Sequence, residues 1–404
     1  MRAFQSATGP DIYFIEEVMR EGMQIEDARI PVEAKVELLD ALSETGLPAI
    51  VVGSFVSPKY TPQMARIEEL VARFKPRPGV TYLALALNAR GVERAQEFSP
   101  PLTVERGAGT PTLMVHMCDV FVRRNVNRSQ ADEVADWPAV IERAVAGGAR
   151  AAGIGLNAAF GSNFLGEFPL EAAMRFLEVQ HALWEAAGIP VTAVRLGDPM
   201  GWCHPAKVTR MLRWIRERWP GIRDFGLHLH NSRGMVLPCI YAALLELGKG
   251  DVLRLDGALG GVGGCPYCGN GRATGLAPTE DLLHMLEGMG YATGVDFDKL
   301  IGCVDLLERM LGRMTWGHVS RAGPRPLRRE DLTDINAPFI ETLEQARHFR
   351  DGPDAYANGI VPWKDPIVSA YRERVDRGLP AYEVDGDWPW RADFFPKVPE
   401  RGPA

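Results

Sequence analysis

Residues 224–259 read DFGLHLHNSRGMVLPCIYAALLELGKGDVLRLDGAL, which is an apolar run, a helical pattern and a second apolar run. This order is typical of one β-α-β unit of a parallel sheet, whose buried strands are nearly continuous in apolar residues. The alternation recurs along the chain, and eight strands are predicted, at residues 11–18, 48–55, 80–87, 112–119, 149–160, 191–198, 224–231 and 251–259. Eight β/α alternations predict an α/β fold of the (β/α)8 TIM-barrel type over residues 1–320. A doubly wound open sheet is the alternative architecture.

Residues 321–404 depart from this alternation. They are rich in Pro, Trp, Arg and Asp and contain the segments NGIVPWKDP and DWPWRADFFP. Such a composition predicts a C-terminal extension that is partly irregular. Its aromatic side chains indicate that it packs on another surface, either the mouth of the barrel or a subunit interface. The predicted organisation is therefore a barrel domain, 1–320, followed by an extension, 321–404.

The composition excludes several classes of protein. A chain of 404 residues with 46% hydrophobic and 24% charged residues is globular rather than disordered or fibrous. Its net charge of −7 argues against nucleic acid or an anionic membrane as a partner. No apolar run approaches the ~18 residues that span a bilayer, and the first residues lack a signal-peptide pattern. We therefore expect a cytoplasmic protein whose six cysteines are reduced.

The ends of the predicted strands carry the residues with chemistry. A barrel enzyme builds its site from the carboxyl ends of its strands. His228 and His230 end the seventh strand two residues apart, so both side chains point to the same face and can close on one metal ion. Glu21, next to Arg20 after the first strand, can add a carboxylate, and Asp198 ends the sixth strand. The alternatives are a pair of ordinary interior or surface histidines and an exposed Arg-Glu pair on a turn.

A glycine-rich loop follows the eighth strand. Residues 257–271 read GALGGVGGCPYCGNG and place two thiols, Cys265 and Cys268, three residues apart. This spacing is compatible with a redox pair, with half a zinc site, or with one working cysteine and a neighbour. A structural zinc site is the weakest of these hypotheses, because no second C-x-x-C exists in the sequence to complete four ligands.

Taken together, these strand ends resemble those of the hydroxymethylglutaryl-CoA lyases, which belong to a metal-dependent barrel superfamily that also contains the isopropylmalate and citramalate synthases. The resemblance covers roughly residues 11–300 and rests on several stretches in a fixed order. These stretches are REGMQ (20–24), SFVSPKYTPQMA (54–65), FVRRNVN (121–127), LGDPMG (196–201), HLHN (228–231), GGVGGCPY (260–267) and TEDLLHMLEGMGYATGV (279–295).

The resemblance implies a divalent metal ion, Mg²⁺ or Mn²⁺ in the first place and Zn²⁺ or Co²⁺ as alternatives. By matched position, Glu21, His228 and His230 are its ligands. Leu276 stands where the family has a ligand asparagine, and Asn270, in the same loop, is a candidate substitute. The sequence also departs from the family at other positions. It has Glu21 for an aspartate, Val51 for a glutamate and Asn231 for an aspartate, and it replaces a cysteine-containing stretch with GLNAAFGSNFLGEF at the end of strand five.

The resemblance further implies a carbon–carbon lyase that cleaves a 3-hydroxyacyl-CoA to a keto acid and acetyl-CoA. Arg20 would stabilise the enolate oxyanion, Glu21 or a metal-bound hydroxide would take the hydroxyl proton, and Cys265 would return a proton to the enolate. Predicted substrate contacts are Gln24, Ser54, Arg123, Arg124, Asp198 and Asn231.

Other functions remain open. They are a lyase for citramalyl-CoA or for an acid without CoA, a Claisen-condensing synthase, and a noncatalytic barrel. The partners expected are a small acyl-CoA or hydroxy acid and further copies of the chain, as a dimer or larger homo-oligomer.

Overall fold

The computed structural model describes residues 1–59, 61–86, 89–103, 110–269, 275–340, 342, 345 and 348–382. The chain divides into two compact units, Met1–Ser320 and Arg321–Ala404. None of the helices in the described ranges combines the length and hydropathy needed to cross a bilayer.

The first unit is built on eight parallel strands. They are β1 (Asp11–Glu16), β2 (Ala49–Ser54), β3 (Thr81–Leu85), β4 (Thr112–His116), β5 (Ala152–Asn157), β6 (Val191–Asp198), β7 (Asp224–Leu229) and β8 (Val252–Ala258). The hydrogen-bonded order runs from the two-residue strand Leu102–Thr103 through β3, β2, β1, β8, β7, β6 and β5 to β4. A further strand, Ala277–Pro278, pairs with β8, and Gly161–Ser162 pairs with Gly166–Glu167 in a small hairpin.

The pairing of the first and last strands decides between the two predicted architectures. β1 and β8 are parallel neighbours in register from Asp11 opposite Val252 to Glu16 opposite Gly257. In a doubly wound open sheet these strands would not be joined in this way, whereas a barrel requires it. The predicted (β/α)8 barrel is therefore confirmed. The two ends of the hydrogen-bonded path within the described residues are Leu102–Thr103 and β4.

Helices separate the successive strands β1–β8, as a parallel sheet requires, and further helices follow them. They are α1 (Val32–Ser43), α2 (Ile67–Arg73), α3 (Ala89–Gln96), α4 (Asp119–Val126), α5 (Gln130–Ala135), α6 (Trp137–Ala146), α7 (Leu170–Ala186), α8 (Pro205–Arg218), α9 (Val236–Glu246), α10 (Thr279–Gly288), α11 (Phe297–Leu311) and α12 (Val319–Ala322). Local sequence sets their ends. Ser129 and Asp132 form a capping box at the start of α5, and Gly312 ends α11 with a φ of 65°.

Two glycines make room for long side chains of the neighbouring strands. A Cβ atom on Gly155 would lie 2.2 Å from Met114 Sδ, and one on Gly226 would lie 2.4 Å from Arg195 Cδ. Arg195 and Arg254 both pair with Asp224, at 2.8 and 2.9 Å. Asp224 thus links β7 to both neighbouring strands, β6 and β8, through two arginines.

The second unit consists of short elements. They are the 3-10 turns Arg329–Asp331 and Pro353–Tyr356 and the helices α13 (His348–Asp351) and α14 (Ala370–Asp376). Asn336 links two of its segments, since its side chain accepts from Ile367 N at 2.7 Å and donates to Ile367 O at 3.3 Å. The aromatic segment DWPWRADFFP, residues 387–396, lies outside the described residues.

Candidate active site

The first site residues lie on an irregular turn. The predicted strand 11–18 ends at Glu16, and a single π-helical turn over Val18–Gly22 follows, continued by a 3-10 turn over Met23–Ile25. Such π turns recur at functional sites because they re-aim side chains within a short stretch. Here the turn buries Glu21, whose carboxylate forms an ion pair with Arg20.

Three predicted ligands converge at this turn. The side-chain ligand atoms of Glu21, His228 and His230 all lie within 4.8 Å of one another. His228 and His230 face each other through their Nε2 atoms at 3.2 Å, and His230 Nε2 is 3.5 Å from Glu21 Oε1. Two imidazole nitrogens bound to one ion at about 2.1 Å and at right angles would be about 3 Å apart. The donor set and its spacing therefore fit a divalent metal ion.

The surroundings of His228 and His230 shift the pKa values of the two imidazoles in opposite directions. Asp256 Oδ2 lies 2.8 Å from His228 Nδ1, an arrangement that orients a ligating imidazole. Burial alone would lower the pKa of His228, but the Asp256 carboxylate raises it to about 9. Burial lowers the pKa of His230 to about 4. His230 is therefore neutral and ready to bind a cation, whereas His228 would release a proton on binding one.

The glycine-rich loop reaches the same place through Gln24. Gln24 Nε2 donates to Glu21 Oε1 at 2.9 Å and to the carbonyl oxygen of Gly264 at 3.1 Å. Cys265, the next residue, is 8% exposed, and Cys268 is fully buried. All six cysteines of the chain lie in the described ranges and are free thiols.

Three of the predicted substrate contacts, Asp198, Asn231 and Ser54, lie at the ends of strands or just after them. Asp198 is buried, and its two carboxylate oxygens accept from Trp202 N at 3.0 Å and Cys203 N at 2.7 Å. Asn231 Oδ1 accepts from Val236 N at 3.2 Å, at the start of α9. Ser54 is buried at the end of β2. Asp198 and Asn231 thus shape the loops after β6 and β7.

The two arginines predicted to contact substrate differ from each other. Arg124 Nε donates to the carbonyl oxygen of Tyr267 at 2.9 Å, and its guanidinium lies over Phe164 at 5.3 Å. It therefore holds the cysteine loop. Arg123 is exposed near the end of α4. Asn270, the candidate fourth ligand, lies outside the described residues, and Leu276 is fully buried in the apolar core.

Sequence reasoning missed two carboxylates of the site. Asp256 is one of them, and Glu17 is the other. Glu17 Oε2 is buried with no hydrogen-bond partner among the described residues and lies 3.8 Å from Arg20 Nη1. Burial raises the pKa of Glu17 to about 8. The period of two along β8, which places Arg254 and Asp256 on one face, was the available signal for Asp256.

A second polar group at the barrel mouth was also missed. His116 ends β4, and its Nδ1 lies 2.8 Å from Glu133 Oε1. Its Nε2 lies 3.2 Å from Asn157 Nδ2 at the end of β5. The rule that barrel sites lie at strand ends would have identified both residues.

Glu16 joins the first and last strands below the site and supports a prediction of pH dependence. Its Oε1 accepts from Val18 N and Leu259 N, and its Oε2 accepts from Thr279 Oγ1 at 2.5 Å. Burial raises its pKa from 4.5 to about 7. The folded protein therefore binds this proton more tightly than the unfolded chain, and the free energy of unfolding falls as pH rises from about 4.5 to about 7.

We expect Glu16→Gln to remove this contribution. The free energy of unfolding of the variant minus that of the original protein should rise by roughly 3 kcal/mol between pH 4.5 and pH 7.5, at 1.36 kcal/mol per pH unit. Urea unfolding of both proteins at several pH values measures this difference, in which the titration of all other groups cancels. A difference that does not change with pH would contradict the prediction.

The chain has clear relatives. A model of the HMGL-like family matches residues 11–307. The Pseudomonas aeruginosa protein named 3-hydroxy-3-isohexenylglutaryl-CoA/hydroxymethylglutaryl-CoA lyase is 33% identical over 312 residues, 77% of this chain and 96% of that relative. The (R)-citramalyl-CoA lyase of Chloroflexus aurantiacus is 32% identical over 324 residues, 78% of this chain and 95% of that relative.

A solved structure is also similar. It is an HMG-CoA lyase from Acinetobacter baumannii in complex with coenzyme A and 3-methylmalate, with a TM-score of 0.61, 29% identity, and coverage of 80% of this chain and 97% of that chain. These findings confirm the predicted resemblance and the predicted enzyme class, a carbon–carbon lyase. Because the family model spans residues 11–307 and curated relatives exceed 30% identity over more than three quarters of the chain, the protein belongs to the HMGL-like family.

Proposed function

We propose that the protein is a divalent-metal-dependent lyase that cleaves a 3-hydroxyacyl-CoA, with hydroxymethylglutaryl-CoA as the first substrate to test, to a keto acid and acetyl-CoA. The observation that carries the proposal is the convergence of Glu21, His228 and His230 beside Arg20 at the mouth of the barrel. The names of the relatives and the coenzyme A in the A. baumannii complex support the acyl-CoA part of the substrate.

The metal ion would be held by Glu21, His228 and His230. When bound, it supplies a Lewis acid that polarises the hydroxyl and carbonyl oxygens of the substrate. Mn²⁺ and Mg²⁺ are proposed first. Zn²⁺ and Co²⁺ are the alternatives, because a set of two imidazoles and one carboxylate also suits them. We keep Asn270 as the proposed fourth protein ligand.

Arg20 is proposed to stabilise the enolate oxyanion that forms when the carbon–carbon bond breaks. Its Nη1 is shared between Glu21 and Glu17, so two carboxylates fix the direction of the guanidinium before substrate arrives. A donor held in advance at a developing charge contributes about 3–4 kcal/mol in comparable enzymes.

We propose that Glu21 removes the hydroxyl proton, and Glu17 is a second candidate that holds its own proton at neutral pH, because burial raises its pKa to about 8. Glu21 is already engaged by Arg20 and Gln24, and although burial opposes it, Arg20 and His230 keep the pKa of Glu21 below its usual range. Glu21 is thus ionised at neutral pH, as both a metal ligand and a proton acceptor must be. Glu17 Oε2 is the buried carboxylate oxygen beside Arg20 that accepts no hydrogen bond from the described residues.

Cys265 is proposed to return a proton to the enolate carbon. The hydrogen bond from Gln24 to Gly264 holds the loop that carries it over the three ligands. Arg123, Arg124, Gln24 and Ser54 remain proposed substrate contacts. Asp198 and Asn231 also remain proposed substrate contacts, and their hydrogen bonds to backbone N–H groups hold the loops that carry them.

The test is release of acetyl-CoA from hydroxymethylglutaryl-CoA by purified, thiol-reduced protein, with Mn²⁺ or Mg²⁺ and with a chelator as control. (R)-citramalyl-CoA is assayed in parallel, because a relative of similar identity carries that name. Metal-dependent release from either ester supports the lyase proposal and selects the substrate. Condensation of acetyl-CoA with a keto acid, without release from either ester, would replace it with the synthase hypothesis. Metal binding without either reaction, or no metal binding, would overturn it.

We also propose that the protein is cytoplasmic and forms a homo-oligomer. We further propose that the chain divides between residues 320 and 321 into a catalytic barrel and an extension. Size-exclusion chromatography with light scattering tests the oligomer. A homo-oligomer is expected to elute at the mass of two or more chains, and a mass of one chain would contradict it.

Gly263 connects the cysteine loop with the proposed metal site and supports a further prediction. Its φ is +104°, and a Cβ atom there would lie 2.7 Å from the backbone oxygen of Glu21. We expect Gly263→Ala to displace the turn that carries Glu21 and to weaken Mn²⁺ binding by about tenfold or more, as loss of a supporting contact does in metal sites. Isothermal titration calorimetry measures the affinity.

Gly79→Ala is the matched control. Gly79 also has a positive φ, +84°, but nothing lies within 4 Å of the position of its Cβ atom. Both variants therefore strain the backbone, and only Gly263→Ala adds the contact with Glu21. Equal Mn²⁺ affinities in the two variants would contradict the prediction.

A further inference from the structure

The segment Cys265-Pro-Tyr-Cys268 forms a turn that brings its two cysteines together. Cys268 N donates to the carbonyl oxygen of Cys265 at 3.3 Å, which closes a four-residue turn with Pro266 in its second position. The first and last Cα atoms of such a turn lie within about 7 Å of each other. Cysteines whose Cα atoms are more than about 7 Å apart cannot be bridged. The turn therefore satisfies the distance requirement for a disulfide.

The two thiols also contact each other. Cys268 Sγ donates to the carbonyl oxygen of Pro199 at 3.2 Å, and its side chain interacts with that of Cys265. Cys268 is fully buried, whereas Cys265 is 8% exposed and belongs to the loop over the proposed site. The pair thus has an outer thiol, which a reactant entering the site can meet, and an inner thiol directly behind it.

The environment favours the outer thiol as the nucleophile. Cys265 is the partly exposed thiol of the pair, whereas the Cys268 thiol is fully buried and its S–H group is engaged by the carbonyl oxygen of Pro199. A thiolate is the form that reacts with peroxides, and an adjacent thiol is the form that resolves the product.

A third cysteine in the same apolar cluster is placed differently. Cys118 is fully buried and caps α4, where its sulfur accepts a hydrogen bond from Phe121 N at 3.3 Å. It is not part of the turn, so it serves as an internal comparison. The cluster contains Cys118, Phe121, Ala158, Met200, Cys265 and Cys268.

We propose that Cys265 and Cys268 form a peroxide-sensitive dithiol whose oxidation to a disulfide switches the enzyme off reversibly. The oxidant is hydrogen peroxide or an organic hydroperoxide. The effect on turnover rests on the proposed function, in which Cys265 supplies a proton. The disulfide itself does not rest on that function.

The oxidation of the two thiols to a disulfide proceeds in two steps. The Cys265 thiolate attacks the terminal peroxide oxygen, an S–O bond forms, the O–O bond breaks, and hydroxide leaves to give a sulfenic acid. The sulfur of Cys268 then attacks the sulfenic sulfur, an S–S bond forms, the S–O bond breaks, and the departing hydroxide takes the Cys268 proton as water. In total two thiols lose two electrons to one peroxide, and with hydrogen peroxide two water molecules form. A dithiol reductant restores both thiols by exchange.

The experiment treats the full-length, reduced protein with hydrogen peroxide in the presence of a chelator, blocks the remaining thiols with N-ethylmaleimide, and maps the peptides by mass spectrometry. We expect two thiols to be lost and a Cys265–Cys268 disulfide to appear. Lyase activity, measured with metal restored, should fall about tenfold or more in parallel with the disulfide and recover with dithiothreitol.

Two serine variants make the outcome specific. Cys268→Ser removes the resolving thiol, so no disulfide should form, and an excess of peroxide should carry Cys265 past the sulfenic acid to the sulfinic and sulfonic acids, which dithiothreitol does not reduce. Cys118→Ser keeps a side-chain cap for α4 and should behave like the original protein. Absence of the disulfide in the original protein, or equal reversible inactivation in Cys268→Ser, would overturn the proposal.

The lyase proposal is checked separately by the activity of the reduced protein. A mapped disulfide that forms without loss of activity would refute the switch and would also show that Cys265 is not the proton donor. A reduced protein that is inactive but forms the disulfide would refute the lyase proposal and leave the dithiol in place.

Discussion

Replacement of His230 by alanine is expected to abolish metal binding at the mouth of the barrel and, with it, turnover. His230 is 2% exposed, its Nε2 lies 3.2 Å from His228 Nε2 and 3.5 Å from Glu21 Oε1, and its low pKa keeps it neutral. Loss of a group that only orients a ligand costs about 10–100-fold in metal affinity, so loss of the ligand itself should exceed 100-fold.

Metal content after gel filtration and Mn²⁺ affinity by calorimetry measure this effect without reference to any substrate. His181→Ala is the matched control, because His181 lies on α7, stacks on Trp219 at 4.8 Å and is placed toward the end of the helix away from the site. Thermal unfolding of both variants shows whether they fold. A folded His230→Ala protein that still binds metal stoichiometrically would refute the ligand assignment.

Replacement of Cys265 by alanine is expected to lower turnover by about 10²–10⁴-fold, the contribution of a positioned proton donor, while Mn²⁺ affinity stays within a factor of about three. Cys265 is not one of the three converging ligands, and Gln24 reaches its loop through the backbone of Gly264, which the substitution leaves in place. Metal affinity and turnover should therefore separate in this variant, whereas in His230→Ala they fall together.

Cys303→Ala makes the same change on α11, away from the site, and is expected to keep its turnover. A second readout is the exchange of the methyl hydrogens of acetyl-CoA for deuterium in deuterated water. Loss of the proton donor slows this exchange, whereas a loosened loop does not. Near-normal turnover of Cys265→Ala would remove this residue from the mechanism.

The convergence of the three proposed ligands was predictable because local periodicity and strand ends carry the required information. His228 and His230 are two residues apart on one strand, and a strand has a period of two, so their shared face follows from the sequence. Their position at the carboxyl end of a parallel strand follows from the β/α alternation. Glu21 was predicted with them, although the strand before it ends at Glu16 and a π turn carries the ligand.

Other parts of the site depended on contacts between distant segments. Glu17 was not predicted, because Asp256, one of the charges around it, comes near only when β1 and β8 pair. Asp198 and Asn231 were predicted as substrate contacts from their motifs, but their oxygens accept hydrogen bonds from nearby backbone N–H groups. A motif shows which residue types are present and does not show which donors have already satisfied them.

The sequence by itself determined the eight-fold β/α alternation, the family and the identity of three converging ligands, because these depend on periods of two and 3.6 residues and on the order of motifs. Only the tertiary structure decided that β1 lies beside β8, which selects the barrel over the open sheet, and that Gln24 joins the Glu21 turn to the cysteine loop 240 residues further along the chain. Such pairings are chosen by burial and hydrogen-bond satisfaction over the whole molecule, and no local window of sequence contains them.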